Sequence, residues 1–310
     1  MEKTSSPIKE PIKKRTVSLV LGGGGARGYV HIGIIQYLLQ AGYDIRSISG
    51  ASMGAVVGGI FAAGKLDVYT RWACALEKTD VIRLLDFSFG SKGLFKGERV
   101  MNTLKELVGD QNIEDLPISF TAVATDIYRE KEVWLNSGSL FDAIRASIAI
   151  PTIFTPVEYK GMHLLDGSLI NPVPVAPTLN DKTDMTIVVN LGAATETEFP
   201  QTPPVIDHKP GKINLAPESH DRIASFIDSL QQRFANKEIE TKDTDMGMFE
   251  VVGRSIDTLQ NAIARFRLAA YSPEVIINIP RDICSFYEFH RAREMIDIGW
   301  TQADNHLNNH

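Results

Sequence analysis

The stretch that decides the fold is "VSLVLGGGGARGYVHIGIIQYLL", Val17–Leu39. An apolar run rich in β-branched residues enters four consecutive glycines, and the chain continues with the spacing of a helix. Apolar side chains recur at helical intervals from Val30 to Ala41, and Gly42 ends the pattern. A glycine loop between a strand and a helix is typical of an anion site, because its N–H groups and the positive helix end face one point.

The alternation of strand and helix continues from residue 16 to about residue 191. "DIRSISGAS", Asp44–Ser52, predicts a second strand, and "MGAVVGGIFAAG", Met53–Gly64, predicts a buried helix of small residues. Further strands are predicted at 118–127, 131–136 and 184–193, a hairpin with a Lys160-Gly161 turn at 154–168, and a capped helix at 137–151. Such alternation favours a parallel sheet with right-handed crossovers, so the predicted fold class is α/β.

The composition and net charge of the chain indicate which classes of protein it can belong to. The 310 residues are 44% hydrophobic and 23% charged, which is typical of a soluble globular protein. The net charge of −6 argues against a nucleic-acid partner. Cys74 and Cys284 fit neither a disulfide framework nor a metal-ligand spacing, and no metal or cofactor is expected. No apolar run reaches the roughly 18 residues of a spanning helix, and no signal peptide is recognised, so we expect a cytoplasmic protein.

The motif Gly50-Ala51-Ser52-Met53-Gly54 lies between the second predicted strand and its helix. It matches the Gly-x-Ser-x-Gly nucleophile elbow, in which a tight turn lifts a serine hydroxyl clear of the sheet. Glycines on both sides allow the strand and the helix to come close, and the positive helix end points at the serine. The alternative is a serine that only caps the helix. The position of the motif favours Ser52 as a nucleophile.

The glycine loop has two interpretations. It contains Gly23-x-Gly25-x-x-Gly28, which formally matches a dinucleotide-binding fingerprint. That fingerprint requires an acidic residue at the end of the second strand, whereas Asp44 begins that strand. A P-loop is excluded because no Gly-Lys-Ser/Thr follows. We favour an oxyanion hole, since glycine N–H groups without side chains can closely approach the oxyanion of a tetrahedral intermediate.

A serine nucleophile needs a base, and the histidines do not suggest one. None of the histidines after Asp166 stands just past a predicted strand, where a triad histidine would lie. Asp166 follows an apolar strand in "LLDGS", Leu164–Ser168, and a carboxylate within hydrogen-bond reach of a hydroxyl can act as its base. The alternative for Asp166 is an ordinary turn aspartate. We predict a histidine-free dyad of Ser52 and Asp166.

These three segments, in this order, resemble the motifs of the patatin-like phospholipase family. "GGGARG", Gly23–Gly28, is similar to its oxyanion-hole motif, "GASMG" to its nucleophile elbow, and "DGS", Asp166–Ser168, to its Asp-Gly-Gly/Ala motif. The connecting segments "RASIAIPTIFTPV" and "DGSLINPVPV" also resemble those of the family. The resemblance covers residues 17–191.

The resemblance implies a three-layer α/β/α sandwich that hydrolyses acyl esters, commonly of lipids, without metal or cofactor. Ser52 would be the nucleophile and Asp166 the general base. The other implied site residues are the oxyanion loop Gly23, Gly24, Gly25, Arg27 and Gly28, the elbow glycines Gly50 and Gly54, and the motif residues Gly167 and Ser168. Arg27 would strengthen the oxyanion field or bind a substrate head group. Ser168 stands where Gly or Ala is usual, and a hydrogen bond from it would lower the basicity of Asp166.

The chain outside the catalytic segment, residues 16–191, divides into two regions. Residues 1–15 predict a basic disordered tail, with attraction to anionic lipid as the alternative. Residues 192–310 predict a lid or loop followed by amphipathic helices that pack on the same domain. Apolar stripes from Phe249 to Phe266 and from Phe289 to Leu307 predict core-facing sides, with a membrane-facing side or a dimer seam as the alternative.

The predicted function is a serine acyl hydrolase of lipid esters, that is, a lipase or a phospholipase A-type esterase. Its partner is a lipid or acyl-ester substrate. Transient contact with a membrane surface would need local apolar and basic patches, for which "DFSFGSKGLFKGER" with Phe87, Phe89, Leu94 and Phe95 is the candidate. An ordinary loop with its Phe side chains tucked in is the favoured interpretation of this stretch. The alternative functions are an acyltransferase that uses the same serine, and a regulatory or lipid-binding module with little turnover.

Overall fold

The computed structural model describes residues 15–84, 95–194 and 248–308. The predicted tail, except Arg15, lies outside the described residues, as do residues 195–247 of the predicted lid or loop. The strands are β1 (Thr16–Leu21), β2 (Asp44–Ala51), β3 (Ser119–Asp126), β4 (Lys131–Leu135), β5 (Val157–Tyr159), β6 (Met162–Asp166), β7 (Met185–Ala193) and β8 (Val275–Pro280). The α-helices are α1 (Val30–Gln40), α2 (Met53–Ala62), α3 (Leu66–Ala75), α4 (Lys78–Leu84), α5 (Glu98–Val108), α6 (Leu140–Ser147), α7 (Met248–Tyr271) and α8 (Ala292–Leu307).

The strands form one sheet in the order β5-β6-β3-β2-β1-β7-β8, and β4 also pairs with β3. β1 runs parallel to β2 and β7, and the same direction extends to β3 and β8. β4 and β6 are antiparallel to β3, and β5 and β6 form the predicted hairpin with Lys160 and Gly161 at its turn. The core of the sheet is therefore parallel, with an antiparallel edge.

Side chains of the central strands alternate between two apolar clusters. Leu19 and Leu21 of β1 point into the large core that contains the buried sides of α1, α2, α6 and α8. Val20 and its neighbour Val188 point to the opposite side of the sheet, where they meet Ala264 of α7. The sheet thus lies between a thick and a thin helical layer, which confirms the predicted α/β/α sandwich.

Helices α1 and α8 touch at their backbones. A Cβ atom on Gly33 would overlap the carbonyl oxygen of Ile296, and one on Gly299 would overlap that of Val30. Only glycine fits at either position, and the close approach buries α8. The buried members of its predicted stripe are Ala292, Ile296, Gly299, Ala303 and Leu307. The core-facing prediction for this stripe is confirmed.

The same prediction is wrong for three residues of the α7 stripe. Val252 is 43% exposed, Leu259 63% and Phe266 76%. The opposite side of the helix, which carries Asp257 and the buried Ala264, faces the cavity described below and the sheet. Apolar periodicity identifies which residues share a side of a helix. It does not show which side faces inward, because a side with polar residues can also face inward where it lines a cavity.

Phe95, one of the four candidate membrane-contact residues, is buried in the protein, as the favoured interpretation of an ordinary loop expects. This side chain is only 5% exposed and its ring packs edge-on against that of Phe154. The backbone of Phe95 exchanges hydrogen bonds with Ile153 and Thr155. Phe87, Phe89 and Leu94 lie outside the described residues. Within the described segments, no helix is both long enough and apolar enough to cross a membrane.

Candidate active site

Ser52 stands on the turn between β2 and α2 in a conformation that few residues other than glycine adopt. Its φ is 54° and its ψ is −125°. An L-residue with positive φ outside the left-handed helical region is strained, and such strain is common at active sites. A Cβ atom on Gly54 would overlap the carbonyl oxygen of Leu21, and one on Gly50 would overlap that of Gly54. Both positions accept only glycine, as the elbow motif predicts.

A second serine holds this turn in place. The N–H of Ser52 donates to Oγ of Ser147 at 3.0 Å, and the Ser147 hydroxyl donates to the carbonyl oxygen of Val123 at 2.6 Å. Ser147 is the last residue of α6 and is fully buried. Ser147 is not among the predicted site residues, because a small polar residue at the end of a buried helix was the only signal for it in the sequence.

Strand register brings Asp166 next to Ser52. Ala51 pairs with Val123 of β3, and the adjacent Ala124 pairs with Asp166 at the end of β6. The Ser52 hydroxyl lies close enough to the Asp166 carboxylate to lower the pKa of that carboxyl by hydrogen bonding. Both residues are buried, at 3% and 4% exposure. The two residues predicted as a dyad are therefore in direct contact.

The loop after β6 supports the carboxylate through its backbone. The N–H of Ser168 donates to Oδ1 of Asp166 at 2.7 Å. A Cβ atom on Gly167 would overlap the carbonyl oxygen of Val123, so this position requires glycine. The Ser168 hydroxyl is buried and has no hydrogen-bond partner among the described residues. The backbone N–H of Ser168, and not its hydroxyl, therefore holds the Asp166 carboxylate in place.

Burial raises the pKa of Asp166 to about 6 from its ordinary value of 3.8. The hydrogen bonds from Ser52 and from the N–H of Ser168 oppose this rise, because they stabilise the charged form. A carboxylate with a pKa of about 6 is still ionised at pH 7 and is a better base than an exposed one.

The N–H groups of the glycine loop differ in what they bind. The N–H of Gly23 donates to the carbonyl oxygen of Pro172 at 3.1 Å and is therefore not free to donate to an oxyanion. The N–H groups of Gly24 and Gly25 have no acceptor among the described residues. Gly24 lines the same cavity as Ser52. The remaining candidates for oxyanion donors are Gly24 and Gly25.

The other predicted loop glycines allow close packing. A Cβ atom on Gly23 would overlap the Ser168 hydroxyl, and one on Gly28 would overlap the Met53 side chain. Gly25 has a φ of 57°, in the left-handed region that favours glycine. The loop comes within reach of Ser52 because these positions have no side chains.

Arg27 connects the glycine loop to the segment that follows β8. Its Nη1 donates to the carbonyl oxygen of Arg281 at 2.7 Å and to that of Cys284 at 3.4 Å. Arg27 also lines the cavity. Arg27 was predicted to serve either the oxyanion or a substrate head group. These hydrogen bonds give it a structural role as well, which no motif indicated.

His31 lies in α1 below the glycine loop and is fully buried. Its Nε2 lies 2.8 Å from the carbonyl oxygen of Gly22, so this nitrogen carries the proton. Burial lowers the pKa of His31 to about 4, and its ring is neutral at pH 7. None of the histidines in the described segments lines the cavity, while His208 and His220 lie outside them.

The cavity that contains Ser52 and Asp166 has a volume of about 540 Å³. The glycine loop and the elbow form one wall, and α7 forms another. This volume lies within the ordinary range for small-molecule sites. In the part of the chain that the structure describes, no three His, Cys, Asp or Glu residues are grouped to hold a metal.

The fold and site define an α/β/α protein with a serine on a nucleophile elbow, and comparisons with known proteins give the family. The model of the patatin-like phospholipase family matches residues 19–179. The chain is 41% identical to an uncharacterized NTE family protein of Mycobacterium tuberculosis, over 91% of this chain and 89% of that protein. It belongs to the patatin-like phospholipase family and is a hydrolase.

Two further similarities are more limited. Lysophospholipase nte1 of Emericella nidulans is 32% identical over 58% of this chain and 12% of that protein. The solved structure of VipD from Legionella pneumophila aligns with a TM-score of 0.45 at 16% identity, over 96% of this chain and 67% of that one. The family predicted from the three motifs is confirmed by the family model and by the mycobacterial relative.

The pKa of Asp166 predicts how activity depends on pH. If Asp166 is the base, kcat/KM for an uncharged ester falls about tenfold per pH unit below about pH 6, because only the carboxylate accepts a proton. Initial rates with p-nitrophenyl butyrate from pH 4.5 to 8, read at the isosbestic wavelength, check this, with circular dichroism to verify folding. A rate that stays level down to pH 4.5 contradicts the assignment of Asp166.

Proposed function

We propose that this protein is a serine hydrolase that cleaves acyl esters of lipids through Ser52 and Asp166. The observation that carries the proposal is the placement of a strained, buried serine beside a buried carboxylate, which the register of β2, β3 and β6 brings together. Membership of a phospholipase family supports lipid esters as the substrate class. The name of one relative, lysophospholipase nte1, supports the same class.

The first half of the reaction acylates the enzyme. Oγ of Ser52 attacks the ester carbonyl carbon while Asp166 takes the hydroxyl proton. The carbonyl oxygen gains the electron pair, and the N–H groups of Gly24 and Gly25 stabilise it together with the positive end of α2. The intermediate then expels the alcohol, which receives the proton from Asp166. An acyl ester on Ser52 remains.

The second half releases the acid. A water molecule attacks the acyl carbonyl and gives a proton to Asp166, and the same donors stabilise the second oxyanion. The intermediate collapses, the carboxylic acid leaves, and Ser52 regains the proton from Asp166. The carboxylate acts directly on the hydroxyl, so this chemistry needs no histidine between them.

A fluorophosphonate probe tests the proposal. The wild-type protein should be labelled on the peptide that contains Ser52, as identified by mass spectrometry, and should release free acid from a soluble lysophospholipid. Ser49→Ala is the matched control, since Ser49 is a fully buried serine on β2, the strand that leads to Ser52, and does not line the cavity. It should be labelled like the wild type.

The results separate the alternatives. Labelling elsewhere, or none at all, contradicts the proposal. Transfer of the acyl group to an added alcohol in place of water indicates an acyltransferase.

A further inference from the structure

The hydroxyl of Ser168 is a polar group of the active-site cavity that the protein itself does not use. Ser168 is only 6% exposed, and its Oγ is buried without a hydrogen-bond partner among the described residues. An unpaired buried hydroxyl is unfavourable, and a partner in the cavity would satisfy it. Ser168 lines the cavity together with Ser52 and Asp166, so such a partner would stand among the reacting groups.

The Ser168 hydroxyl lies next to the nucleophile. A Cβ atom on Gly23 would overlap Oγ of Ser168 and would also lie 3.1 Å from Cβ of Ser52. The side chains of the two serines therefore meet the glycine loop at the same α-carbon. An acyl group bound to Oγ of Ser52 would be formed beside the Ser168 hydroxyl.

The same hydroxyl lies next to the base. Ser168 follows Asp166 by two residues, and its N–H donates to Oδ1 of that carboxylate at 2.7 Å. Burial raises the pKa of Asp166, and the Ser168 hydroxyl is one of the groups near enough to oppose this rise. Because that hydroxyl still makes no hydrogen bond of good geometry, its lone pairs and its proton are available to a molecule between Asp166 and Ser52.

Deacylation requires a molecule at that position. In the acyl-enzyme, Oγ of Ser52 is an ester oxygen and has no proton to donate to Asp166. The attacking water gives one proton to Asp166 and keeps a second, which needs its own acceptor in a buried site. The backbone N–H groups of Gly24 and Gly25 can only donate, whereas the hydroxyl oxygen of Ser168 can accept.

We propose that the Ser168 hydroxyl binds the hydrolytic water beside Asp166 and thereby favours hydrolysis over transfer of the acyl group to an alcohol. The inference rests on the proposed hydrolase function. The water oxygen bonds to the acyl carbon, one water proton passes to Asp166, and the carbonyl electron pair moves to the oxyanion. The second proton stays on the attacking oxygen, donates to Oγ of Ser168, and leaves with the carboxylic acid.

An alcohol makes no such use of Ser168. Its single hydroxyl proton passes to Asp166 when the oxygen attacks, and no second proton remains for Oγ of Ser168 to accept. Loss of the Ser168 hydroxyl should therefore slow the attack of water more than the attack of an alcohol on the same acyl-enzyme.

Competition between water and methanol tests this role. The substrate is p-nitrophenyl butyrate at a fixed methanol concentration, and gas chromatography measures the initial rates of formation of butyrate and methyl butyrate. In Ser168→Ala and Ser168→Gly, the ratio of methyl butyrate to butyrate should rise about fivefold to tenfold, as expected for one lost hydrogen bond. The ratio does not depend on the rate of acylation or on the amount of folded protein.

Ser49→Ala is the matched control, because Ser49 also has a buried hydroxyl without a partner among the described residues but does not line the cavity. It should keep the wild-type ratio. An unchanged ratio in both Ser168 variants overturns the inference even if their rates fall, since an equal fall of both products indicates an effect on acylation or on the oxyanion. Fluorophosphonate labelling of Ser52 and release of butyrate by the wild type would then still support the hydrolase. If the wild type is not labelled on Ser52, the hydrolase proposal fails, and the role of Ser168 fails with it.

Discussion

Replacing Ser52 by alanine is expected to lower kcat for ester hydrolysis by about 10⁴- to 10⁶-fold, the range typical when a serine nucleophile is removed. The alanine has no oxygen to attack the carbonyl, and what remains is acceleration by the oxyanion donors and by binding. Initial rates on p-nitrophenyl butyrate and on a lysophospholipid measure the loss. KM should change far less, because Ser52 acts on the reacting carbon and the rest of the cavity is intact.

Two controls separate chemistry from structure. Ser49→Ala removes a buried hydroxyl from β2, the strand that leads to Ser52, without touching the cavity, and should stay within about twofold of the wild-type rate. Ser52→Gly should be as inactive as Ser52→Ala, yet more stable by about 1 kcal/mol, because glycine tolerates the positive φ of this turn. Residual activity in Ser52→Ala above a hundredth of the wild-type value would show that another residue attacks the ester.

Replacing Asp166 by asparagine is expected to lower kcat/KM by about 10³- to 10⁴-fold. Asparagine preserves the shape of the side chain and can still accept hydrogen bonds from Ser52 and the N–H of Ser168, but it cannot take a proton. Fluorophosphonate labelling should slow by a similar factor, since the serine is no longer activated. Full activity in this variant would exclude Asp166 as the base.

The same variant should be more stable than the wild type at neutral pH. The pKa of Asp166 is about 6 in the folded protein and 3.8 in its ordinary state, so folding favours the protonated form. The stabilising contribution of protonated Asp166 is complete below about pH 4 and is lost as the pH rises through 6. Asparagine does not titrate, so the stability advantage of Asp166→Asn should grow by about 2–3 kcal/mol between pH 4 and pH 7.5.

Urea unfolding of both proteins at the two pH values measures this difference. The buried His31 destabilises both proteins equally as the pH falls below 6.5, so its effect cancels between them. Asp126→Asn is the matched control, because the pKa of Asp126 is shifted in the opposite direction to that of Asp166. Burial raises the pKa of Asp126, but hydrogen bonds from Arg129 and the N–H of Tyr128 outweigh it and the net pKa is lowered. An equal stability difference at both pH values would contradict the raised pKa of Asp166.

Most motif positions of the catalytic segment could be predicted from the sequence, because the local backbone geometry allows only certain residues there. Gly54 and Gly167 leave no room for a Cβ atom, and Ser52 occupies the turn that its two neighbouring glycines predict. The α8 stripe was also predicted correctly, because its apolar side faces the core throughout. The α7 stripe was not predicted correctly, because the inward side of this helix lines a cavity and carries polar residues.

The sequence by itself determined the family, the α/β/α fold and the pairing candidates Ser52 and Asp166, since each follows from short motifs and from hydrophobic periodicity. Only the tertiary structure decided how the site is completed. It assigned the N–H of Gly23 to Pro172, the N–H of Ser52 to Ser147, and the Arg27 side chain to the carbonyl oxygens after β8. These contacts join segments that are distant along the chain, and a motif records only the residues that are near one another in sequence.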